Sequence, residues 1–348
     1  MSEKTSACHM PQLDALRGIA ALVVVVSHSA NAGFLPAFLG AGFGQMGVGL
    51  FYVLSAFLLT TIYIHKEPNG PVVRDYLVRR VCRVLPLFYA ALFASLILEA
   101  TTGVVIFGAF DSPEVTLKNV LLIHGTSVLW SIPAEIHFYL LFVVFWVLMR
   151  KDVKLAFLAL VFLQTLLLAA AVTFDFSVYS LPYWMHFFTF GCFLAVVFDK
   201  KTSSFGTLSA PLPRVFFFLL IAATPILLPA VRSNILGFGM PIFLDPIALI
   251  WVGGLSTAFI FLAIPKHYLD NSFFRVLGEL SFGVYLIHMA VISLASASFL
   301  GNGVSKNFGF LVIIVLSYSL AAIANRYFER PVQDWLLKSM SVREKRSA

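Results

Sequence analysis

Residues 13–30, LDALRGIAALVVVVSHSA, form the first strongly apolar segment of the chain and carry an arginine and a histidine eleven residues apart, Arg17 and His28. Eleven helical steps of about 100° return to within about 20° of the starting direction, so the two side chains share one face, roughly 16 Å apart along the axis. Two readings of the pair stand side by side. One is an interfacial arginine with a core histidine; the other is a charged anchor at one depth with a proton-handling group at another. Ionisable groups inside a membrane segment are costly enough to be functional hypotheses by default.

Composition places this segment in a bilayer. The chain is 60% hydrophobic and only 12% charged, where soluble domains carry about 25% charged residues. The net charge of +7 falls in short clusters between apolar runs, the distribution that membrane topology requires, so no nucleic-acid partner is expected. The three cysteines, Cys8, Cys82 and Cys192, are isolated. With no CxxC or metal-finger spacing, neither a disulfide framework nor a metal site is implied. The start, MSEKTSACHMPQ, lacks an apolar signal core with a small-residue cleavage site, so the first helix is expected to remain as a span.

Runs of about 20 apolar residues predict an all-α integral membrane protein with about ten transmembrane helices, near 13–30, 47–64, 87–107, 128–149, 154–173, 179–198, 214–231, 241–263, 276–297 and 308–326. An N-terminus inside leaves only Lys118, Arg232 and Lys306, of the 24 Lys and Arg residues, on the outer side. That asymmetry orients the chain with both termini in the cytoplasm. The connection HKEPNGPVVRDYLVRRVCRVLP sets Arg79, Arg80 and Arg83 among Leu77, Val78, Val81, Val84 and Leu85. This is the composition of a cytoplasmic amphipathic helix lying in the interface, where arginines also meet anionic lipid headgroups. With no repeat and no appended soluble segment, residues 1–348 are expected to be one membrane domain, embedded over about 13–326 with a basic cytoplasmic tail at 327–348.

Within the expected spans lie His28, Glu99, Glu135, His137, His186, Asp245, Glu279 and His288. Counted from the cytoplasmic start of its span, His28 is about 24 Å into a core roughly 30 Å thick. Glu135 sits near the outer end of the fourth span, so the two are expected to share a level. A carboxylate beside an imidazole fixes its tautomer and raises its basicity, as a general base requires. Pro133 either breaks that helix beside a cavity or is an ordinary N-terminal proline. His137 points to a different face from Glu135. His186 and His288 are read as core histidines, and Glu99 and Asp245 receive no role.

Several patterns together resemble the acyltransferase-3 family of multispanning membrane O-acyltransferases, over nearly the whole chain. LDALRGIAALVVVVSHS resembles its first helix, matching at Arg17 and His28, and GVGLFYVLSAFLL its second. RRVCRVLP matches the paired-arginine segment at Arg80 and Arg83. LWSIPAEIHFYLL resembles the WSL-type motif at Trp130, Ser131, Glu135, Phe138 and Tyr139, while LGELSFGVYLIH and FERP resemble the closing motifs. Gly49, Ala56, Pro133 and Ile136 depart from the commoner residues. At 348 residues, the chain is expected to lack the extracytoplasmic hydrolase-like domain that some relatives carry.

The resemblance implies transfer of an acyl group, most often acetyl, from acyl-CoA to a hydroxyl on a carbohydrate or lipid-linked glycan in a bacterial cytoplasmic membrane. Arg17, Arg80 and Arg83 would then meet the phosphates of coenzyme A. His28 would take the acceptor's proton, with Glu135 orienting or balancing the imidazole; a covalent acyl-histidine is the variant. No metal is implied. The competing class is a proton-coupled secondary transporter of a small sugar or anion using His28, Glu135 and His288. It is disfavoured because no inverted repeat is visible.

Overall fold

The computed structural model of the chain describes residues 10–108, 110–204, 243, 245–261, 266–299 and 305–340. Its helices are α1 (Pro11–Asn31), α2 (Gly44–Tyr63), α3 (Gly70–Thr102), α4 (Pro113–Val120), α5 (Ser131–Lys151), α6 (Val153–Thr173), α7 (Leu181–Ser204), α8 (Pro246–Ile260), α9 (Lys266–Leu269), α10 (Ser272–Phe299), α11 (Lys306–Ala324) and α12 (Arg330–Ser339). Among the described residues, eight helical segments are long and apolar enough to cross a membrane. They comprise an all-helical membrane bundle. The expected span at 214–231 lies outside the described residues. That at 241–263 is described chiefly by α8, a 15-residue apolar helix.

Helix boundaries follow local chemistry. Pro11 opens α1, where its missing donor costs nothing, and Asp14 sits in the first turn, where the partial positive charge of the helix end favours an acid. Asn69 caps α3 by accepting from the Val72 N–H, and Gly103 ends it in the left-handed region at φ 71°. Asp152 and Asp245 cap α6 and α8. Pro133 lies in the first turn of α5, where proline is tolerated.

The amphipathic segment is not a separate interfacial element. It is the first half of α3, which runs unbroken for 33 residues through Pro86 into the third span. At about 1.5 Å per residue, such a helix is roughly 50 Å long and exceeds the hydrocarbon core. Its arginine-bearing half therefore extends past the apolar slab while remaining attached to a span. The chain after α11 is likewise ordered. A π-helical turn at Asn325–Glu329 leads into α12, which packs on α3, and the Arg74 guanidinium donates to the Met340 carbonyl at 3.1 Å.

Helix α1 is the centre of the bundle, packed lengthwise against α2 and α10, while α2 packs on α7 and α10 on α11. The contacts are close because small residues meet backbone. A Cβ on Gly18 would lie 2.7 Å from Leu277 Cβ, one on Gly278 2.6 Å from Asp14 Cα, and one on Gly47 2.5 Å from the Ala20 carbonyl oxygen. In a bilayer, where apolar burial does not distinguish lipid from protein, such approach supplies the packing energy. It also fixes the two ends of α1, with Arg17 and His28, against α10 and α2.

Several ionisable groups within the apolar segments turn out to be structural. The Glu99 carboxylate accepts from the Ile106 and Phe107 N–H groups. Asp245 caps α8, and Glu279 pairs with Arg330 at 2.8 Å.

Candidate functional site

Two cavities run along α1, one toward each end. The first is narrow, about 80 Å³, and is lined by Arg17, Arg80 and Arg83 together with Ser55, Glu135 and Tyr139. The second is wider, about 450 Å³, and is lined by His28, Asn31, Gln45, His124, Trp130 and Tyr179 among others. Val48 and Tyr285 line both. The two spaces thus abut at one tyrosine and one valine, with guanidiniums on one side and an imidazole on the other.

The three arginines converge although they come from α1 and α3. Arg17 feels the like charges of Arg83 and Arg80, against the opposite charge of Asp14, whose carboxylate lies 3.7 Å away. The buried Arg80 Nε has no hydrogen-bond partner. Glu329, at the π-turn, faces Arg83 and Arg330. Three guanidiniums around one narrow space repel one another, and an anion between them relieves the repulsion and satisfies their donors. The space suits an anionic group better than a cationic or apolar one.

Glu135 lies in the arginine-lined cavity. Its Oε1 accepts from Ser55 Oγ at 2.7 Å and from the Tyr139 hydroxyl at 2.6 Å. The structure does not bring it against His28, because the carboxylate is turned toward α2 and its own helix, where two hydroxyls hold it. One turn earlier, Ser131 Oγ donates to the Tyr285 hydroxyl at 2.8 Å, which donates to the Val128 carbonyl at 2.6 Å. The Tyr52 hydroxyl donates to the Ser131 carbonyl at 3.0 Å. These bonds tie α2, α5 and α10 together where the two cavities meet. Among the groups read as site residues in the sequence, Arg17, Arg80, Arg83 and Glu135 share one space, while His28 faces the other.

The ring packed on His28 is that of His288, with centroids 5.3 Å apart. His288 is fully buried, its Nδ1 lies 3.1 Å from the Val284 carbonyl, and its Nε2 has no hydrogen-bond partner. A carbonyl only accepts, so the proton sits on Nδ1 and Nε2 carries a lone pair. Sequence reasoning treats His288 as a core histidine. The signal that could have raised it is its place at the end of LGELSFGVYLIH, on the helix that packs along α1. His186 lies elsewhere, on an apolar groove between α7 and α8, and among the described residues no group of three or more His, Cys, Asp or Glu side chains could hold a metal.

The fold and site define a membrane-embedded helical bundle in which an arginine-lined passage abuts a histidine-bearing chamber, an arrangement suited to group transfer. The chain belongs to the acyltransferase-3 family: the family's Acyltransferase domain matches residues 10–326. It is 27% identical to the putative peptidoglycan O-acetyltransferase YrhL of Bacillus subtilis, over 96% of this chain and 56% of that protein. It is 26% identical to the peptidoglycan O-acetyltransferase OatA of Listeria monocytogenes, over 93% of this chain and 56% of that one. A putative acetyltransferase, ORF330, of Acidianus two-tailed virus is 25% identical over 80% of this chain and 82% of its own length. The chain spans about half the length of the two bacterial relatives. No solved structure matches it.

Proposed function

We propose that this chain is a membrane-bound O-acyltransferase, moving an acetyl group from cytoplasmic acetyl-CoA to a hydroxyl of an extracytoplasmic or lipid-linked carbohydrate, with His28 as general base. The observation that carries this reading is the meeting of the two cavities at Val48 and Tyr285. Arg17, Arg80 and Arg83 hold the phosphates of the donor, for which guanidiniums are the matching partners. The narrow passage suits a thin pantetheine arm, whose thioester reaches the boundary at Tyr285. An acceptor hydroxyl in the wider chamber gives its proton to His28 as its oxygen attacks the thioester carbonyl. The C–O bond forms, the C–S bond breaks, and the proton passes to the departing thiolate, so that the ester and free coenzyme A are the products.

In this scheme Glu135 is a positioning residue, holding Ser55 and Tyr139 on the wall of the passage. The basic segments and both termini face the cytoplasm of a bacterial cell, and residues 1–348 work as one membrane domain. A glycan of peptidoglycan type is the favoured acceptor, on the strength of the names of the two bacterial relatives.

Calorimetric titration of purified protein in detergent with acetyl-CoA tests the donor assignment, using wild type beside Arg17→Ala and Arg80→Ala. Saturable binding that weakens at least tenfold in both variants is expected. Well-folded wild-type protein that binds no acetyl-CoA would sink the reading, and transport into sealed vesicles would then be the activity to seek.

A further inference from the structure

The chamber beyond Tyr285 is lined by two amides, imidazoles, hydroxyls and aromatic rings, and by no carboxylate, lysine or arginine among the described residues. An uncharged polar lining disfavours a phosphate or a carboxylate as the bound group and suits a neutral, hydroxyl-rich one. Its volume of about 450 Å³ falls in the range of roughly 300–1,000 Å³ that small-molecule sites occupy. One wall is aromatic: the rings of Trp130 and Tyr179 lie 5.1 Å apart, and Trp130 is backed by Trp184 at 4.7 Å and Tyr52 at 6.4 Å. Large rings held from behind offer area at little cost in conformational freedom, and their faces take the C–H face of a pyranose while their polar tips stay available.

His124 sits on a loop whose shape is held at an energetic cost, while Gln45 comes from α2. Between α4 and α5, Leu122 and Ser127 adopt positive φ of 57° and 47°, the left-handed region that costs a side-chain-bearing residue roughly 1–2 kcal/mol. The buried Asn119 holds the loop in place, its Oδ1 accepting from the Thr126 N–H at 3.1 Å and its Nδ2 donating to the Val115 carbonyl at 2.9 Å. At Gly125 a Cβ would collide with the backbone of Leu129 and Trp130. Strain kept by surrounding structure is characteristic of ligand-contacting segments. The result is His124 on the chamber wall. Burial and the neighbouring Lys118 charge hold its imidazole below the usual range, so the ring is neutral at pH 7 and offers one donor and one acceptor.

We propose that this chamber is the acceptor subsite, with the exposed Tyr179 ring, backed by the buried Trp130, stacking on an N-acetylated pyranose and Gln45 and His124 hydrogen-bonding its amide and hydroxyl groups. This rests on the acyltransferase reading above and assigns its acceptor specificity to the strained loop and the aromatic wall. Gln45 and Tyr179 are the residues to change, because neither side chain donates or accepts a hydrogen bond elsewhere among the described residues.

The test is equilibrium binding of chitotriose to the full chain in lipid nanodiscs, followed by tryptophan fluorescence, for wild type, Gln45→Ala and Tyr179→Ala. Saturable binding by wild type and at least tenfold weaker binding by each variant is expected, with acetyl-CoA binding kept by both as the measure of intact folding. Folded wild type that binds no chitotriose, or variants that bind it as wild type does, would overturn the subsite. Chitotriose binding that depends on Gln45 and Tyr179 in a protein that binds no acetyl-CoA would uphold the subsite and reject the donor reading instead.

Discussion

The imidazoles of His28 and His288 stand 5.3 Å apart, centre to centre, with their planes tilted by 48°. Because the Nδ1–H of His288 is committed to the Val284 carbonyl, its other nitrogen is a buried lone pair beside the ring of His28. The group packed on His28 is therefore an imidazole, while the Glu135 carboxylate is held by Ser55 and Tyr139. In the proposed reaction His28 has to act without a fixed negative charge at contact.

His288→Phe keeps the ring volume and removes both nitrogens. Transfer should fall at least tenfold, while acetyl-CoA affinity, set at the other end of α1, stays as in wild type. Parallel transfer kinetics and calorimetry separate the two effects; a variant with wild-type turnover would reduce His288 to packing.

His28→Ala should lower transfer by about 10²–10⁴-fold, the range a general base contributes, with normal expression and acetyl-CoA binding. Labelled-acetyl transfer measured beside donor binding provides the check, and turnover within threefold of wild type would remove the assignment.

Tyr139→Phe deletes the 2.6 Å hydrogen bond to Glu135 and leaves its carboxylate with Ser55 alone. Bonds to a charged group contribute about 1.5–3 kcal/mol, so the midpoint of thermal unfolding in detergent should fall measurably. Donor binding should weaken as the passage wall loosens. An unchanged midpoint would mean the carboxylate finds another partner.

Gly47→Val places a branched side chain against the Ala20 carbonyl, where even a Cβ would sit at 2.5 Å. Overpacking of this kind costs roughly 1–3 kcal/mol. Because the same contact sets α2 against α1, loss of stability should come with loss of transfer. Circular dichroism melts and transfer assays on the purified variant test both.

Much of this architecture is legible in the residues, and the exceptions have physical causes. Long apolar runs such as 154–173 declare themselves, since nothing but a span tolerates them. The arginine segment reads as a separate interfacial helix because its composition changes at Leu85, yet composition does not decide where a helix stops. No capping signal interrupts Gly70–Thr102, so the helix continues. Arg17, Arg80 and Arg83 were legible as a set, because charge near one face of a membrane has few uses. Depth counting put Glu135 level with His28 but could not supply rotation about α5, which turns the carboxylate to Ser55. His288 lies 260 residues from His28 in sequence, and their pairing depends on α1 lying along α10, a contact set by glycines rather than by any motif.

The most direct test of the account is acetyl transfer across a membrane. Everted vesicles containing wild type, His28→Ala or Arg80→Ala receive labelled acetyl-CoA on the former cytoplasmic face, and base-labile label on glycan is measured inside the vesicles. The account predicts luminal acetyl ester with wild type, its loss with His28→Ala, and partial recovery with Arg80→Ala at high donor concentration. Label confined to the donor side, or retained in full by His28→Ala, would contradict it.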